Sequence, residues 1–196
     1  DHEPHPTLKL TMTGVLAKSS NIGTIQASEL MGAEKFDSYL RKFGVGQATG
    51  MQFPGESKGR LPKLEKWSGT SFPTFAFGQG YMVTAVQIAS MYATIANDGV
   101  RVSPTVIAGT SDASGNFTPS AKRPAERVVS AETARQMRLM MESVVSVNGT
   151  APSAAIPGYR VAGKTGTAQR IDDTCGCYRG YTASFIGFAP ADKPAY

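Results

Sequence analysis

The chain has 196 residues, 41% of them apolar and 18% charged, enough to bury one sizeable core and form one domain or part of one. Its net charge of +5 comes from Lys and Arg residues scattered along the sequence. No basic run interleaved with aromatics marks a nucleic-acid surface, so the charge reads as a solubility feature and no nucleic-acid partner is expected. The longest apolar stretch, Met82 to Ala96, is broken by Thr84, Gln87 and Ser90 and is too short and too polar to cross a bilayer. No signal-peptide pattern is visible.

In chain order, an irregular Asp-His-Glu-Pro-His-Pro opening turns apolar and β-branched by residue 12, and His2 and His5 read as solvent-exposed. Leu16 to Asn21 leads into a helical pattern over Ile22 to Met31. A second helix is predicted from Ala33 to Phe43, with Phe36, Tyr39, Leu40 and Phe43 on one face and Gly44 as its stop. Residues 44–75 show no sustained period. Phe53-Pro54-Gly55-Glu56 reads as a turn, and Trp67 with Phe72-Pro73 reads as packed aromatics or as a cleft lining.

Gly78-Gln79-Gly80 reads either as a ligand-approaching turn or as a plain helix lead-in. The next helix, Thr84 to Asn97, starts with a Thr84–Gln87 capping box and should bury Ile88, Met91, Tyr92 and Ile95. Residues 100–128 read as a β excursion around a polar turn at 111–116. Ser130 then caps a long helix with Met137, Met140, Met141, Val144 and Val145 on its apolar side, ended by Asn148-Gly149. Both cysteines lie in Cys175-Gly176-Cys177. Metal sites need more ligands than this, so no metal or other cofactor is expected. A disulfide across one residue is strained but compatible with an oxidising compartment, and a loop decoration without catalytic meaning is the favoured reading.

The stretch around which the rest is organised is Ala162-Gly163-Lys164-Thr165-Gly166-Thr167-Ala168-Gln169, between β-type runs at Tyr159–Val161 and Tyr181–Phe188. In a strand Thr165 and Thr167 share one face, and strand glycines mark close approach by a ligand or another backbone. One reading is an edge strand that accepts an extended anionic guest through a cation, two hydroxyls and backbone N–H groups. The other is a Gly-containing hairpin arm with a solvated Lys.

Lys164-Thr165-Gly166 matches the K-T-G element of penicillin-binding proteins and class A β-lactamases. Ser19-Ser20-Asn21, in the right order before it, matches the S-x-N element of the same superfamily. With Phe77-Gly78-Gln79-Gly80-Tyr81 and Phe185-Ile186-Gly187-Phe188-Ala189-Pro190, the whole chain resembles the transpeptidase domain of a class B penicillin-binding protein. Thr167-Ala168-Gln169 and Ser184 to Phe188 resemble the class B form more than the bifunctional class A form, and no deacylating carboxylate segment of a β-lactamase is evident.

That resemblance implies an α+β fold, an antiparallel sheet flanked by helices and incomplete in this chain. It implies acyl transfer on a D-Ala-D-Ala stem peptide, β-lactams as ligands, and membrane-bound cell-wall synthesis or division proteins as partners. The setting would be the extracytoplasmic face of the inner membrane, with any anchor outside this chain. By resemblance, Lys164 supplies positive charge, while Thr165 and Thr167 hold the substrate carboxylate and the Thr167 N–H forms half of the oxyanion hole. Gly166 keeps the strand bare, Ser19 relays a proton to the leaving amine, and Asn21 binds the substrate backbone. The family nucleophile lies in an S-x-x-K element, and no Lys of this chain has Ser three positions before it. The expectation is a fragment with cleft walls and no nucleophile, inactive and poorly stable alone. The competing expectation is a nucleophile-free module that binds stem peptide or a division partner.

Overall fold

The computed structural model describes residues 6–195; His2 and His5 lie outside them. Helix α1, Met12–Lys18, opens at Thr11, whose Oγ1 accepts from the Gly14 N–H at 3.3 Å. The sequence reading did not anticipate it, since seven residues give too few turns for a legible stripe. Its buried residues, Val15 and Ala17, are fixed by tertiary packing. Helix α2, Asn21–Met31, begins one residue before the predicted start, capped by Ser20, whose Oγ accepts from the Gly23 N–H at 3.2 Å. Gly23 is required here, because a Cβ would stand 2.7 Å from Val15 Cγ2 where α1 and α2 meet. Helix α3, Ala33–Lys42, follows Gly32 closely and matches the predicted span to within a residue.

The segment read as showing no sustained period holds a short 3₁₀ turn, Leu64–Lys66, and helix α4, Ser71–Ala76, which runs just past it. Its aromatics pack on one another, as the blander reading had it. Phe36 meets Phe72 with ring centroids 5.4 Å apart, Trp67 meets Phe75 at 4.8 Å, and Phe75 meets Tyr81 at 5.8 Å. A Cβ at Gly80 would stand 2.5 Å from the Phe75 ring, so this glycine answers to aromatic packing.

Helix α5, Ala85–Ala96, starts with the predicted capping box complete in both directions. Its expected apolar stripe is only half-buried. The fully buried positions are polar: Gln87, which faces loop carbonyls, and Thr94, whose Oγ1 donates to Ser90 O of its own helix at 2.7 Å. The β excursion is real: β1, Val100–Val102, pairs antiparallel with β4, Ala125–Arg127, and β2, Gly109–Ser111, pairs with β3, Phe117–Pro119. Helix α6, Ala131–Val145, is capped by Ser130 and buries Met141, Val144 and Val145 as predicted. It also buries Arg138, whose guanidinium donates to Ile95 O at 3.1 Å and Asp98 Oδ1 at 2.8 Å, tying α6 to the end of α5. The helix stops at Ser146, earlier than Asn148-Gly149.

The run Tyr159–Val161 is turn and loop, and the strand starts only at Ala162. Strand β5, Ala162–Asp172, pairs antiparallel with β6, Cys177–Phe188, through a turn over 173–176, where Cys175 is joined by a disulfide to Cys177, the first residue of β6. Among the described residues neither strand pairs with a third. Met141, Ala162, Phe188 and Ala191 form the core, with Leu16, Tyr92, Ile95 and Met137 packed around it. A Cβ at Gly163 would stand 2.7 Å from the Ile186 carbonyl oxygen and 2.3 Å from the Phe185 ring. Gly163→Ala must therefore push β6 away. It is expected to cost about 2 kcal/mol in urea denaturation; a loss under about 0.5 kcal/mol would mean that β6 yields freely.

Candidate active site

Two short levers extend from one core. Leu16 of α1 and Ala162 of β5 pack on the same cluster, and Ser19 lies three residues past the first while Lys164 lies two past the second. Ser19 ends α1 in the left-handed region, φ 54°, with its N–H donating to Leu16 O at 3.2 Å. That bend turns the chain so that Ser20 can cap α2 and Ser19 faces β5. The result is a direct bond: Lys164 Nζ donates to Ser19 Oγ at 2.7 Å. The same ammonium donates to Thr165 O at 3.0 Å and to Thr165 Oγ1 at 3.3 Å. Its donors are thus spent on neutral oxygens.

Asn21 is the first residue of α2, half-exposed, two positions from Ser19. Thr165 and Thr167 lie on one face of β5 opposite Phe185 and Ala183, and Thr167 is exposed. Gly166 needs a qualification to the bare-strand reading, because Ser184 Oγ from β6 stands 2.8 Å from where its Cβ would sit. One residue was missed from the sequence. Thr150, in the link after α6, has its Oγ1 2.8 Å from Thr165 Oγ1. No local pattern marks it, for it reaches the site only because α6 packs on β5.

Burial lowers the Lys164 pKa below its ordinary value of 10.5, with no carboxylate among the described residues bonded to Nζ to offset it. The unfolded chain therefore binds more protons than the folded one between the depressed value and 10.5, and stability rises with pH across that interval. Tyr92, pushed up to about 12 by burial and then by Tyr81, gives the opposite slope above pH 10. Comparing wild type with Lys164→Met isolates the lysine. The wild-type stability relative to this variant is expected to rise from neutral pH towards 10.5 in urea titrations, and a flat difference would contradict a desolvated ammonium.

A small concavity lined by Thr49, Gln87, Ser90, Arg101 and Ser103 shares no residue with this site. It offers no rival centre for the chemistry, since it gathers one cation and neutral amides and hydroxyls without a nucleophile–base pair.

An antiparallel hairpin under helices carries a strand lysine bonded to the serine of the Ser19-Ser20-Asn21 turn, so the two matched motifs meet in one cleft. Residues 1–196 match the family described as the penicillin-binding protein transpeptidase domain, and the chain belongs to that family. It is 48% identical over 200 residues to penicillin-binding protein PbpB of Mycolicibacterium smegmatis, covering 98% of this chain and 31% of that protein. Against the peptidoglycan D,D-transpeptidase FtsI of Escherichia coli it is 36% identical over 195 residues, covering 96% and 30%. Penicillin binding protein 3 of Mycobacterium tuberculosis, solved with aztreonam, superposes with a TM-score of 0.94 at 46% identity, covering 99% of this chain and 45% of that one. The same protein has been solved with ampicillin. The likeness is to the class B branch, and the chain spans about three tenths of the length of these curated relatives.

Proposed function

We propose that this chain forms one wall of a peptidoglycan D,D-transpeptidase that cross-links cell-wall stem peptides by serine acyl transfer. The observation that carries the reading is the 2.7 Å bond from Lys164 Nζ to Ser19 Oγ, which joins elements 145 residues apart. Because the ammonium occupies a lone pair of Ser19, the hydroxyl proton of Ser19 remains available to a group in the cleft. A serine from an S-x-x-K element elsewhere in the protein attacks the carbonyl between the two D-Ala residues. The terminal D-Ala leaves as an amine that takes the attacking serine's proton through Ser19, and an acceptor amine then displaces the serine ester, giving up a proton as the serine hydroxyl is restored. Thr165 and Thr167 hold the terminal carboxylate beside the Lys164 charge, with Asn21 on the substrate backbone. The Thr167 N–H and the open outer edge of β5 receive the oxyanion and the extended peptide.

β-Lactams are ligands of the same cleft, a reading supported by the aztreonam and ampicillin complexes of the mycobacterial relative. The Cys175–Cys177 disulfide fits an extracytoplasmic setting in the cell envelope, beside membrane-bound cell-wall synthesis or division proteins. Among the described residues no helix is long and apolar enough to cross a membrane.

Fluorescent penicillin followed by denaturing electrophoresis tests the reading. A covalent band on the full-length protein, lost when the S-x-x-K serine is replaced and absent from residues 1–196 alone, is the expected result. Label on the short chain would reassign nucleophilic character to Ser19 or a neighbour. No label on either favours the second reading, a noncovalent stem-peptide or partner-binding module, which the lack of S-x-x-K in these 196 residues keeps in view.

A further inference from the structure

The link between α6 and β5 holds a hydroxyl in a fixed place. Gly149 donates its N–H to Ser146 O at 2.9 Å, and a Cβ on it would stand 2.1 Å from Val144 O, so only glycine fits. Ala151 is buried and donates to Val144 O at 2.9 Å. Thr150 is thus pinned on both sides, and its Oγ1 meets Thr165 Oγ1 at 2.8 Å. Thr165 Oγ1 also accepts from Lys164 Nζ at 3.3 Å.

A hydroxyl has one proton and two acceptor positions. If Thr165 donates to Thr150, it has no proton for an anion in the cleft. If Thr150 donates to Thr165, both acceptor positions of Thr165 are filled, by Lys164 and Thr150, and its own proton is free to be donated. We propose that Thr150 is a positioning residue that donates to Thr165 Oγ1 and thereby turns the Thr165 hydroxyl proton towards the carboxylate of the bound substrate or β-lactam. The proposal rests on the carboxylate-anchoring role given to Thr165 above. It places a specificity determinant 14 positions before Lys164, acting through Thr165.

The test uses the full-length protein with benzylpenicillin and its methyl ester, which differ in the carboxylate alone. For Thr150→Val, which keeps the shape and removes the donor, acylation by benzylpenicillin is expected to slow about tenfold, the size of one hydrogen bond to a charged group. Acylation by the ester should change less than about twofold, and Thr150→Ser should restore most of the carboxylate rate. Equal slowing of both ligands, which is what a displaced β5 would produce, overturns the proposal, and so does an unchanged benzylpenicillin rate. A wild type that reacts equally with acid and ester overturns instead the carboxylate anchor at Thr165, and the role of Thr150 falls with it. The two failures are read from different proteins and cannot be confused.

Discussion

Lys164→Ala in the full-length protein is expected to slow penicillin acylation by about 10²–10³-fold, the usual loss when a preorganised electrostatic donor is removed. Three bonds go at once: to Ser19 Oγ, to Thr165 O and to Thr165 Oγ1. Ser19 then loses the partner that fixes its rotamer, and the proposed carboxylate site loses the Lys164 charge. Lys164→Arg should recover little of this, because a planar guanidinium cannot place three donors around one point as an ammonium does. Thermal stability should move the other way or stay level. The folded protein holds a desolvated charge at Lys164, so its removal relieves a cost of folding. Stopped-flow acylation together with thermal melts checks both halves. A variant that reacts within about threefold of wild type would remove Lys164 from the catalytic machinery.

The second large effect is on stability, at Gln87. This side chain is 1% exposed. Its Oε1 accepts from the Thr84 N–H at 2.8 Å, and its Nε2 donates to Gln47 O at 2.7 Å, Lys58 O at 2.9 Å and Gly44 O at 3.4 Å. One amide therefore closes the helix cap and holds the loop over 44–59 on α5. Gln87→Leu takes the side-chain partner from four backbone groups, one in a buried bond and three in part-buried ones, at about 1–3 kcal/mol for each left dry, and a total loss of about 4 kcal/mol is expected.

Gln87→Glu should be worse at neutral pH, since a carboxylate would face three carbonyl oxygens. Burial and those carbonyls raise the pKa of such a Glu in the folded state. The protonated form is therefore tolerated below the unfolded value near 4.3, and stability is lost as pH rises through the raised folded value. Urea titrations at acid and neutral pH, read as differences from wild type, check the sign. A loss under about 1 kcal/mol for Gln87→Leu would show that water replaces the amide without penalty.

The local signals that proved legible share one property: the responsible atoms lie within a few residues of each other. The Thr84–Gln87 capping box, the Ser130 cap and the turn between β5 and β6 are written in adjacent residues, and each stands where it was read. The same holds for the site at the level of motifs, for Lys164, Thr165 and Ser19 were singled out by their tripeptides and meet in space. What failed to show was short or indirect. Helices α1 and α4 run seven and six residues, below the length at which a period declares itself. On α5 the apolar stripe was legible, yet the two most buried side chains are Gln87 and Thr94, and Gln87 is buried because loop carbonyls came to lie over the helix.

The sequence by itself determined the family, through the resemblance of its two motifs and their flanks, and the hairpin that carries one of them, since these are written in contiguous residues. Only the tertiary structure decided that Ser19 and Lys164 touch. A left-handed bend at Ser19 and a core shared by Leu16, Met141, Ala162 and Phe188 bring them together across 145 residues. Thr150 belongs to the same class of fact. Its place beside Thr165 follows from the packing of α6 on β5 and from the closed space around Gly149, and neither is visible in a string of residues.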